Sequence, residues 1–345
     1  MRKQILGMML CACVCASCDP DVGGVFEPVE PVEPPVEKPE PPVDPPVEEP
    51  EEPTTPPSTE DLLTIKIEDE IMAVVGTNTW NAIAYGNGKY VAVGESGYIT
   101  TSTDGVNWTT PKQIISSSMY HDIHSIQYGN GVFVTCGERK IAYSINGDDW
   151  TLISPIVSYG NQYFDKVAYK NGTFVANFSN KCFSSADGKT WNDGVSCGLF
   201  SINTLLSTGD KFIAFYNRKI AISPDGITWT TSDTSVPTSV HGIAVGNGLI
   251  IATFARNVYV STDGISCELI QLSNVSGYMC SSSCITFNNG LFVITGQMQS
   301  NANSSQYATY AATSTDGKTW TEWVHVKDPN GQELQNRIFA MIVMP

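Results

Sequence analysis

The stretch Ser102-Thr-Asp-Gly-Val-Asn-Trp108 decides the fold, because the same spacing of side chains recurs along the chain. Five further copies are Ser144-Ile-Asn-Gly-Asp-Asp-Trp150, Ser185-Ala-Asp-Gly-Lys-Thr-Trp191, Ser223-Pro-Asp-Gly-Ile-Thr-Trp229, Ser261-Thr-Asp-Gly-Ile-Ser-Cys267 and Ser314-Thr-Asp-Gly-Lys-Thr-Trp320. The Asp or Asn positions of successive copies lie 42, 41, 38, 38 and 53 residues apart. An internal repeat of about 40 residues is typical of propellers and solenoids, in which each unit buries its apolar faces against its neighbours.

A second motif precedes each copy, as in Ile83-Ala-Tyr-Gly-Asn-Gly-Lys-Tyr-Val-Ala-Val93. Asn-Gly supplies the positive φ angles of a type I′ turn, so this motif predicts a hairpin. A third strand, such as Tyr98–Ser102, then enters the Ser-x-Asp-Gly turn. There we expect the carboxylate to accept turn amides, Gly to be left-handed and Trp to start a fourth strand. The sequence therefore predicts an all-β protein, a β-propeller of four-stranded antiparallel blades.

The Ser-x-Asp-Gly-x-x-Trp unit resembles the Asp-box, or BNR repeat, of sialidases and related propellers, over about residues 80–325. Asn146 and Cys267 depart from that pattern, and we expect them to weaken only their own turns. The resemblance implies that the repeated Asp residues are structural and lie opposite the usual ligand face. Sialidases also carry an arginine in an Arg-Ile-Pro-like motif ahead of the first Asp-box. No arginine lies between residue 3 and Arg139, so sialidase activity is not expected.

The number of blades depends on segments outside the six copies. Residues 337–343 have the pattern of an innermost strand with no turn motif after it, and residues 62–67 and 71–75 have the pattern of strands. A seventh blade built from both ends would leave no open edge in the ring. The sequence therefore favours seven blades over six.

The first residues have the architecture of an export signal. A basic start, Met1-Arg2-Lys3, precedes an apolar run over residues 5–14 and the small-residue stretch Cys15-Ala-Ser-Cys18. This resembles the lipobox of bacterial lipoproteins, which implies a signal peptide over residues 1–18 and lipidation of Cys18. Cys15 stands where that family usually has Leu, so an ordinary secretory signal cut nearby is the alternative.

An acidic, proline-rich segment follows. The chain carries a formal net charge of −16, of which residues 19–60 contribute −12 through 13 acids and one base. The same segment holds 14 of the 20 prolines, so it is expected to be a disordered, extended stalk. Residues 61–345 are left as the propeller. An acidic balance argues against nucleic-acid binding, and the short apolar runs leave a lipid anchor as the expected membrane attachment.

The face opposite the Asp-boxes is built from the loops between second and third strands and the connections between blades. Four consecutive blades place a basic residue in the former loops, and aromatic residues and histidines such as Phe200 lie in the latter. The candidate ligand-binding residues are Arg139, Lys140, Lys181, Arg218, Lys219, Arg256, Tyr120, His121, Tyr163, His241 and Tyr278. Arginine forks match carboxylates and aromatic faces stack on sugars or planar groups, which predicts an anion- or glycan-binding face. The alternative is that these bases only solvate tight turns.

A non-catalytic binding role at the bacterial outer membrane, periplasmic or surface-exposed, is the favoured function, with a glycan or an envelope protein as partner and a monomer as the expected state. One alternative is a carbohydrate-active hydrolase with a carboxylate pair drawn from Asp122, Glu138 and Asp165. Another is an envelope assembly or scaffold factor, since Asp-box-like repeats also occur in photosystem II assembly factors and sorting receptors. No cofactor is indicated. The two histidines of His121-Asp-Ile-His124 have a spacing seen in metal sites, but a single pair in a loop does not predict one.

Six cysteines lie beyond the signal, and export permits disulfides. Antiparallel pairing of the third and fourth strands of one blade is expected to bring Cys182 and Cys197 together, and Cys280 and Cys284 are spaced to close a small loop. Cys267 replaces a repeat Trp and is expected to be a free, buried thiol.

Overall fold

The structure is a computed structural model. It describes residues 62–67, 70–75, 80–115, 122–137, 140–153, 164–237, 240–273, 275, 278–300, 307–328, 330–334, 338 and 340–343. All of these lie in one compact unit, Glu51–Pro345. The expected signal peptide, Cys18 and the stalk lie outside the described residues.

Six four-stranded antiparallel sheets form the blades. Blade 1 comprises β3 (Trp80–Gly86), β4 (Lys89–Gly94), β5 (Tyr98–Ser102) and β6 (Lys112–Gln113), and blade 2 comprises β7 (Ile123–Gly129), β8 (Val132–Gly137), β9 (Lys140–Ser144) and β10 (Thr151–Ile153). Blade 3 comprises β11 (Phe164–Lys170), β12 (Thr173–Phe178), β13 (Lys181–Ser185) and β14 (Val195–Ser196), and blade 4 comprises β15 (Thr204–Ser207), β16 (Phe212–Tyr216), β17 (Lys219–Ser223) and β18 (Thr230–Asp233). Blade 5 comprises β19 (Gly242–Gly246), β20 (Leu249–Phe254), β21 (Asn257–Ser261) and β22 (Glu268–Gln271), and blade 6 comprises β23 (Tyr278–Asn288), β24 (Leu291–Ser300), β25 (Tyr307–Ser314) and β26 (Val324–His325). The prediction of an all-β propeller with four-stranded antiparallel blades is confirmed.

The first hairpin of five blades closes on the Asn-Gly pair that the sequence indicates. In blade 1, Asn87 has φ 49° and Gly88 has φ 72°, and the corresponding pairs of blades 2, 3, 5 and 6 also have positive φ. This is the backbone conformation of a type I′ turn, which matches the twist of the flanking strands. Blade 4 lacks Asn-Gly and closes its hairpin through a bond from the Thr208 amide to the Lys211 carbonyl, 2.8 Å long.

The hydrophobic core lies between blades. One cluster joins Val91 and Val93 of blade 1 to Ile123 and Phe133 of blade 2, all of them at most 1% exposed. Equivalent clusters join the later blades. Each blade therefore depends on its neighbours to bury its apolar faces, as expected of a repeat architecture.

The first two and the last of the described strands form a terminal sheet, β1 (Leu62–Ile67), β2 (Glu70–Val75) and β27 (Ala340–Val343), in the order β1-β2-β27. β27 contacts β3 of blade 1 and β23 of blade 6, so this sheet lies between the first and last blades. The preference for seven blades over six is wrong: the described residues form six four-stranded blades. The physical reason is that no Ser-x-Asp-Gly turn follows β27 to supply another strand.

Across the described residues there is no helix of the length and apolar character needed to cross a bilayer.

Among the described cysteines, Cys136, Cys182, Cys197 and Cys267 form no disulfide. Cys182 and Cys197 are brought together as expected, because β13 and β14 pair antiparallel and both side chains are at most 1% exposed. The hydrogen bond between the two sulfurs lowers the pKa of the Cys197 thiol and, together with burial, raises the pKa of the Cys182 thiol. Cys267 is half-buried rather than buried, with its sulfur 3.1 Å from the Ser235 hydroxyl. The side chain of Cys280 lies outside the described residues.

Candidate functional site

One edge of the ring, which we call the turn face, carries the first hairpin turns and the six Ser-x-Asp-Gly turns. In blade 4, Ser223 Oγ accepts a hydrogen bond from the Gly226 amide (2.7 Å) and donates one to Asp225 Oδ1 (3.0 Å). Asp225 Oδ1 also accepts from the amides of Ile227 (2.9 Å) and Thr228 (2.7 Å). These backbone donors stabilise the carboxylate and lower the pKa of Asp225 to about 2.

The same bonds recur in the other turns. Backbone amides lower the pKa of every repeated aspartate, namely Asp104, Asp187, Asp225, Asp263 and Asp316. Asn146 makes the equivalent bonds through its uncharged side-chain oxygen: Asn146 Oδ1 accepts hydrogen bonds from the amides of Asp148 (3.0 Å) and Asp149 (2.9 Å). The prediction that the repeated Asp carboxylates accept turn amides is confirmed, and these groups are occupied within their own turns.

The turn glycines also fix neighbouring blades together. Gly226 has φ 78°, and a Cβ there would lie 2.4 Å from Cγ2 of Val175 in blade 3. Trp229 Nε1 donates to the Gly226 carbonyl at 3.2 Å and so holds the turn from its other side. Glycine is therefore required both by the left-handed backbone and by the close approach of the preceding blade.

The opposite edge, the loop face, carries the candidate residues. Lys140, Lys181 and Lys219 each open the third strand of a blade and pair with the last residue of the second strand. Arg218 and Arg256 each occupy the residue before that opening position in blades 4 and 5. The structure thus places these bases at two adjacent positions of the same loop in blades 2 to 5. Lys219 Nζ lies 2.9 Å from Asp233 Oδ1 in an exposed pair, which contributes little to stability.

Several candidates fall outside the described residues: Tyr120, His121, Arg139, Tyr163 and the side chain of Tyr278, although Tyr278 itself opens β23.

Two pairs of aromatic rings in tilted contact lie next to the arginine loops of blades 4 and 5. Phe200 packs on Tyr216, with ring centroids 6.0 Å apart, and His241 packs on Phe254 at 5.0 Å. Phe200 is 83% exposed and Phe254 is 36% exposed. We call these four rings, together with Arg218 and Arg256, the ring patch. It is defined by Phe200, Tyr216, Arg218, His241, Phe254 and Arg256.

The equivalent pair of blade 3 behaves differently. Phe164 and Phe178 are also in tilted contact, with ring centroids 5.0 Å apart, but both are buried. Phe200 and His241 were expected at this face from the sequence, whereas Tyr216 and Phe254 were not. The available signal was an aromatic residue at the end of a second strand, directly before an arginine-containing loop.

Arg218 and Lys219 line a narrow recess between blades 4 and 5, together with Asn203, Tyr216 and Pro237. Its volume is about 10 Å³, which is room for roughly one water molecule. A larger ligand at the ring patch must therefore lie across the surface rather than inside this recess.

The carboxylates considered for hydrolysis have local partners. Asp122 Oδ1 accepts a hydrogen bond from the Ser96 amide at 2.8 Å, and Asp165 Oδ1 lies 3.6 Å from Lys166 Nζ and 3.8 Å from His124 Nδ1. Burial and the charge of Asp122 raise the pKa of Glu95 above its usual range. Glu138 lies outside the described residues. Within the described ranges, no group of three His, Cys, Asp or Glu residues is placed to hold a metal ion.

No protein-family model matches the sequence, and no curated protein matches it. Among solved structures, the chain is similar to YCF48 bound to D1 peptide, with a TM-score of 0.56 and 15% identity over 77% of this chain and 88% of that chain. It is also similar to YCF48 from Cyanidioschyzon merolae, with a TM-score of 0.52 and 13% identity over 78% and 89% of the two chains. It is also similar to the Neurospora crassa Pan2 WD40 domain, with a TM-score of 0.51 and 9% identity over 74% of this chain and 91% of that chain. At these identities the likeness shows the fold, a β-propeller, and kinship with Asp-box proteins stays a prediction.

Proposed function

We propose that the protein is a non-catalytic binding propeller of the cell envelope, which holds an acidic peptide segment of a partner protein on its ring patch. The observation that carries this proposal is that blades 4 and 5 each have a partly exposed pair of rings in tilted contact beside an arginine loop. Aromatic rings and arginines are the residue types that dominate binding energy at protein interfaces.

The chemistry of the patch favours a peptide with carboxylates. The guanidinium groups of Arg218 and Arg256 present fork-shaped donors that match carboxylate geometry, and the rings supply apolar surface between the charges. A solved structure of the same fold, YCF48, is bound to a D1 peptide, which supports a peptide ligand for this architecture. A glycan on the same surface is the alternative, because aromatic faces also stack on sugars.

The proposed location rests on the N-terminal sequence. An export signal ending in Cys15-Ala-Ser-Cys18 supports lipidation of Cys18 at the outer membrane, and the acidic stalk then separates the propeller from the bilayer. Metabolic labelling with an alkynyl fatty acid tests this step. Label is expected in the wild type and in Cys15→Ser, and is expected to be lost in Cys18→Ser. Label retained in Cys18→Ser would overturn the anchor.

The binding role is tested with the full-length protein on an array of acidic, neutral and basic peptides and on a glycan array. We expect binding to acidic peptides that weakens at least about tenfold, or 1.4 kcal/mol, in Arg218→Ala/Arg256→Ala. The control is Lys189→Ala/Lys327→Ala, which removes the same charge outside the ring patch. Equal binding by both double variants would refute the ring patch, and binding to glycans alone would select the alternative ligand.

A further inference from the structure

A glycine and an aromatic ring close the turn-face ends of three blade junctions. The glycine ends or nearly ends the innermost strand of one blade, and the ring comes from the next blade. The pairs are Gly86 with Tyr128, Gly129 with Tyr169, and Gly246 with Phe287. A Cβ on these glycines would lie 2.1, 2.5 and 2.1 Å from the ring, so each ring rests directly on the glycine backbone. The ring therefore fills the space between neighbouring blades.

The junction between blades 3 and 4 is filled by a different pair. Lys170 stands at the glycine position and Ser207 at the ring position. Lys170 Nζ donates to the carbonyls of Asp210 and Pro224, both at 2.9 Å, and lies 5.4 Å from the centre of the Phe212 ring. The long side chain therefore crosses the junction from the opposite direction and occupies the space that a ring fills elsewhere.

The junction between blades 4 and 5 has neither filler. Thr208 stands at the glycine position, and its hydroxyl is used within its own turn by Asp210 Oδ1 at 2.6 Å. Val245, a much smaller side chain, stands at the ring position. The result is a cleft of about 540 Å³, lined by residues 208–211, residues 245–250 and Thr262. We call it the junction cleft.

A polar cross-link found at other junctions is also missing from the junction cleft. Asn130 and Asn247 donate side-chain hydrogen bonds to the turn of the following blade, at Ala186 (3.0 Å) and Thr315 (3.1 Å). The corresponding residue of blade 4 is Gly209, which has no side chain to reach Thr262. Blades 4 and 5 are therefore not linked across the turn face in the way that their neighbours are.

We propose that the junction cleft binds a tyrosine or phenylalanine side chain presented by a partner protein. At three other junctions the equivalent place holds such a ring from the chain itself. The volume lies within the range of ligand sites, roughly 300–1,000 Å³, and Val245, Leu249 and Ile250 supply apolar walls. An aromatic ring there restores the contacts that Val245 cannot make. This site lies on the turn face, so it goes beyond the proposed role of the ring patch.

The variant Thr208→Gly/Val245→Tyr tests the proposal, because it rebuilds the glycine and ring pair within the chain. Its melting temperature is expected to be no lower than that of the wild type. The single variant Val245→Tyr is expected to melt lower than the double variant, since Thr208 then occupies the space where each other ring meets a glycine. If the double variant melts below the single one, the junction is not built for a ring and the proposal fails.

Binding is measured by saturation-transfer NMR with the full-length protein and millimolar N-acetyl-tyrosinamide, N-acetyl-phenylalaninamide or N-acetyl-leucinamide as probes. We expect saturation of the two aromatic probes, at least a severalfold weaker signal for leucine, and loss of the aromatic signal in Thr208→Gly/Val245→Tyr. Arg218→Ala/Arg256→Ala is expected to leave the signal unchanged, which separates this site from the ring patch. Absence of aromatic saturation in the wild type, equal saturation by leucine, or full retention in the double variant would each overturn the proposal.

Discussion

The turn face and the loop face are built by the same repeated blade, yet they use their polar and aromatic groups differently. On the turn face, Ser223 and Asp225 direct their hydrogen bonds into their own turn, and Trp229 covers it. On the loop face, Phe200 is 83% exposed and Arg218 is exposed beside it. The residues that repeat most faithfully thus hold the blades together, whereas the proposed binding surfaces lie where the copies differ.

The same lesson applies within the turn face itself. Most junctions there are closed by a ring on a glycine or by Lys170, and the junction cleft appears where Thr208 and Val245 replace both partners. Where a departure from the repeat has a compensating partner the junction is filled, and where it has none a cleft remains.

The largest expected effect is on a turn glycine. Gly226→Ala introduces left-handed strain and a clash with Val175, so the free energy of unfolding should fall by about 2–5 kcal/mol. Gly88→Ala is the matched control, because φ is also positive but no atom lies within 4 Å of the added Cβ. It should lose only about 1–2 kcal/mol. Urea unfolding measures both, and equal losses would show that contact between blades adds nothing at the turn.

The next effect comes from opening a second junction. Tyr169→Val should lower the free energy of unfolding by about 1–3 kcal/mol, because it removes the ring that covers Gly129 and the hydroxyl bonded to Asn130 at 2.7 Å. Tyr169→Phe, which keeps the ring, should lose only about 1 kcal/mol. Thermal and urea unfolding test this. If Tyr169→Val is as stable as Tyr169→Phe, the ring does not stabilise the junction between the blades.

A smaller effect separates the aspartate turns from the asparagine turn. The folded pKa of Asp225, about 2, is below its unfolded value of roughly 3.9, so its contribution to stability is complete above the unfolded pKa and is lost as pH falls towards 2. Below about pH 4, the free energy of unfolding should therefore fall less steeply with decreasing pH in Asp225→Asn, by a slope that corresponds to at most one proton. In Asn146→Asp it should fall more steeply. Melting temperatures at pH 2–7 decide this, and parallel curves for all three proteins would contradict it.

The smallest effect on stability is expected on the loop face. Phe200→Ala should change the free energy of unfolding by no more than about 0.5 kcal/mol, because the side chain is 83% exposed. Affinity for the acidic peptide should nevertheless fall, since the ring pair with Tyr216 is lost. Urea unfolding and peptide titration of the same preparation measure stability and affinity. A loss of stability with unchanged affinity would show that Phe200 has a structural role and not a binding role.

The repeat made the fold predictable from sequence, because Asn-Gly and Ser-x-Asp-Gly fix the two turns of a blade locally. The three strands of the terminal sheet were also predicted, but their order was not, since it depends on pairing between β2 and β27, which lie far apart in sequence.

The candidate surfaces were predictable only in part. The bases at equivalent loop positions follow from the alignment of repeats, but the exposure of a ring depends on its neighbours. Phe178 is buried against Phe164, whereas Phe254 of the same repeat position is partly exposed. Likewise, sequence shows that Lys170 and Val245 break the pattern, but only the bond from Lys170 to Pro224 shows that the first change is compensated.

The central claim is that the ring patch on the loop face binds a partner protein, and site-specific photo-cross-linking in cells tests it most directly. A photoreactive phenylalanine analogue is placed at Phe200 and, as a control on the turn face, at Ile227, which is 51% exposed. We predict a discrete cross-linked protein from position 200 that is absent from position 227 and is lost when Arg218 and Arg256 are changed to alanine. The same product from both positions, or a product at position 200 that survives the arginine changes, would contradict the account.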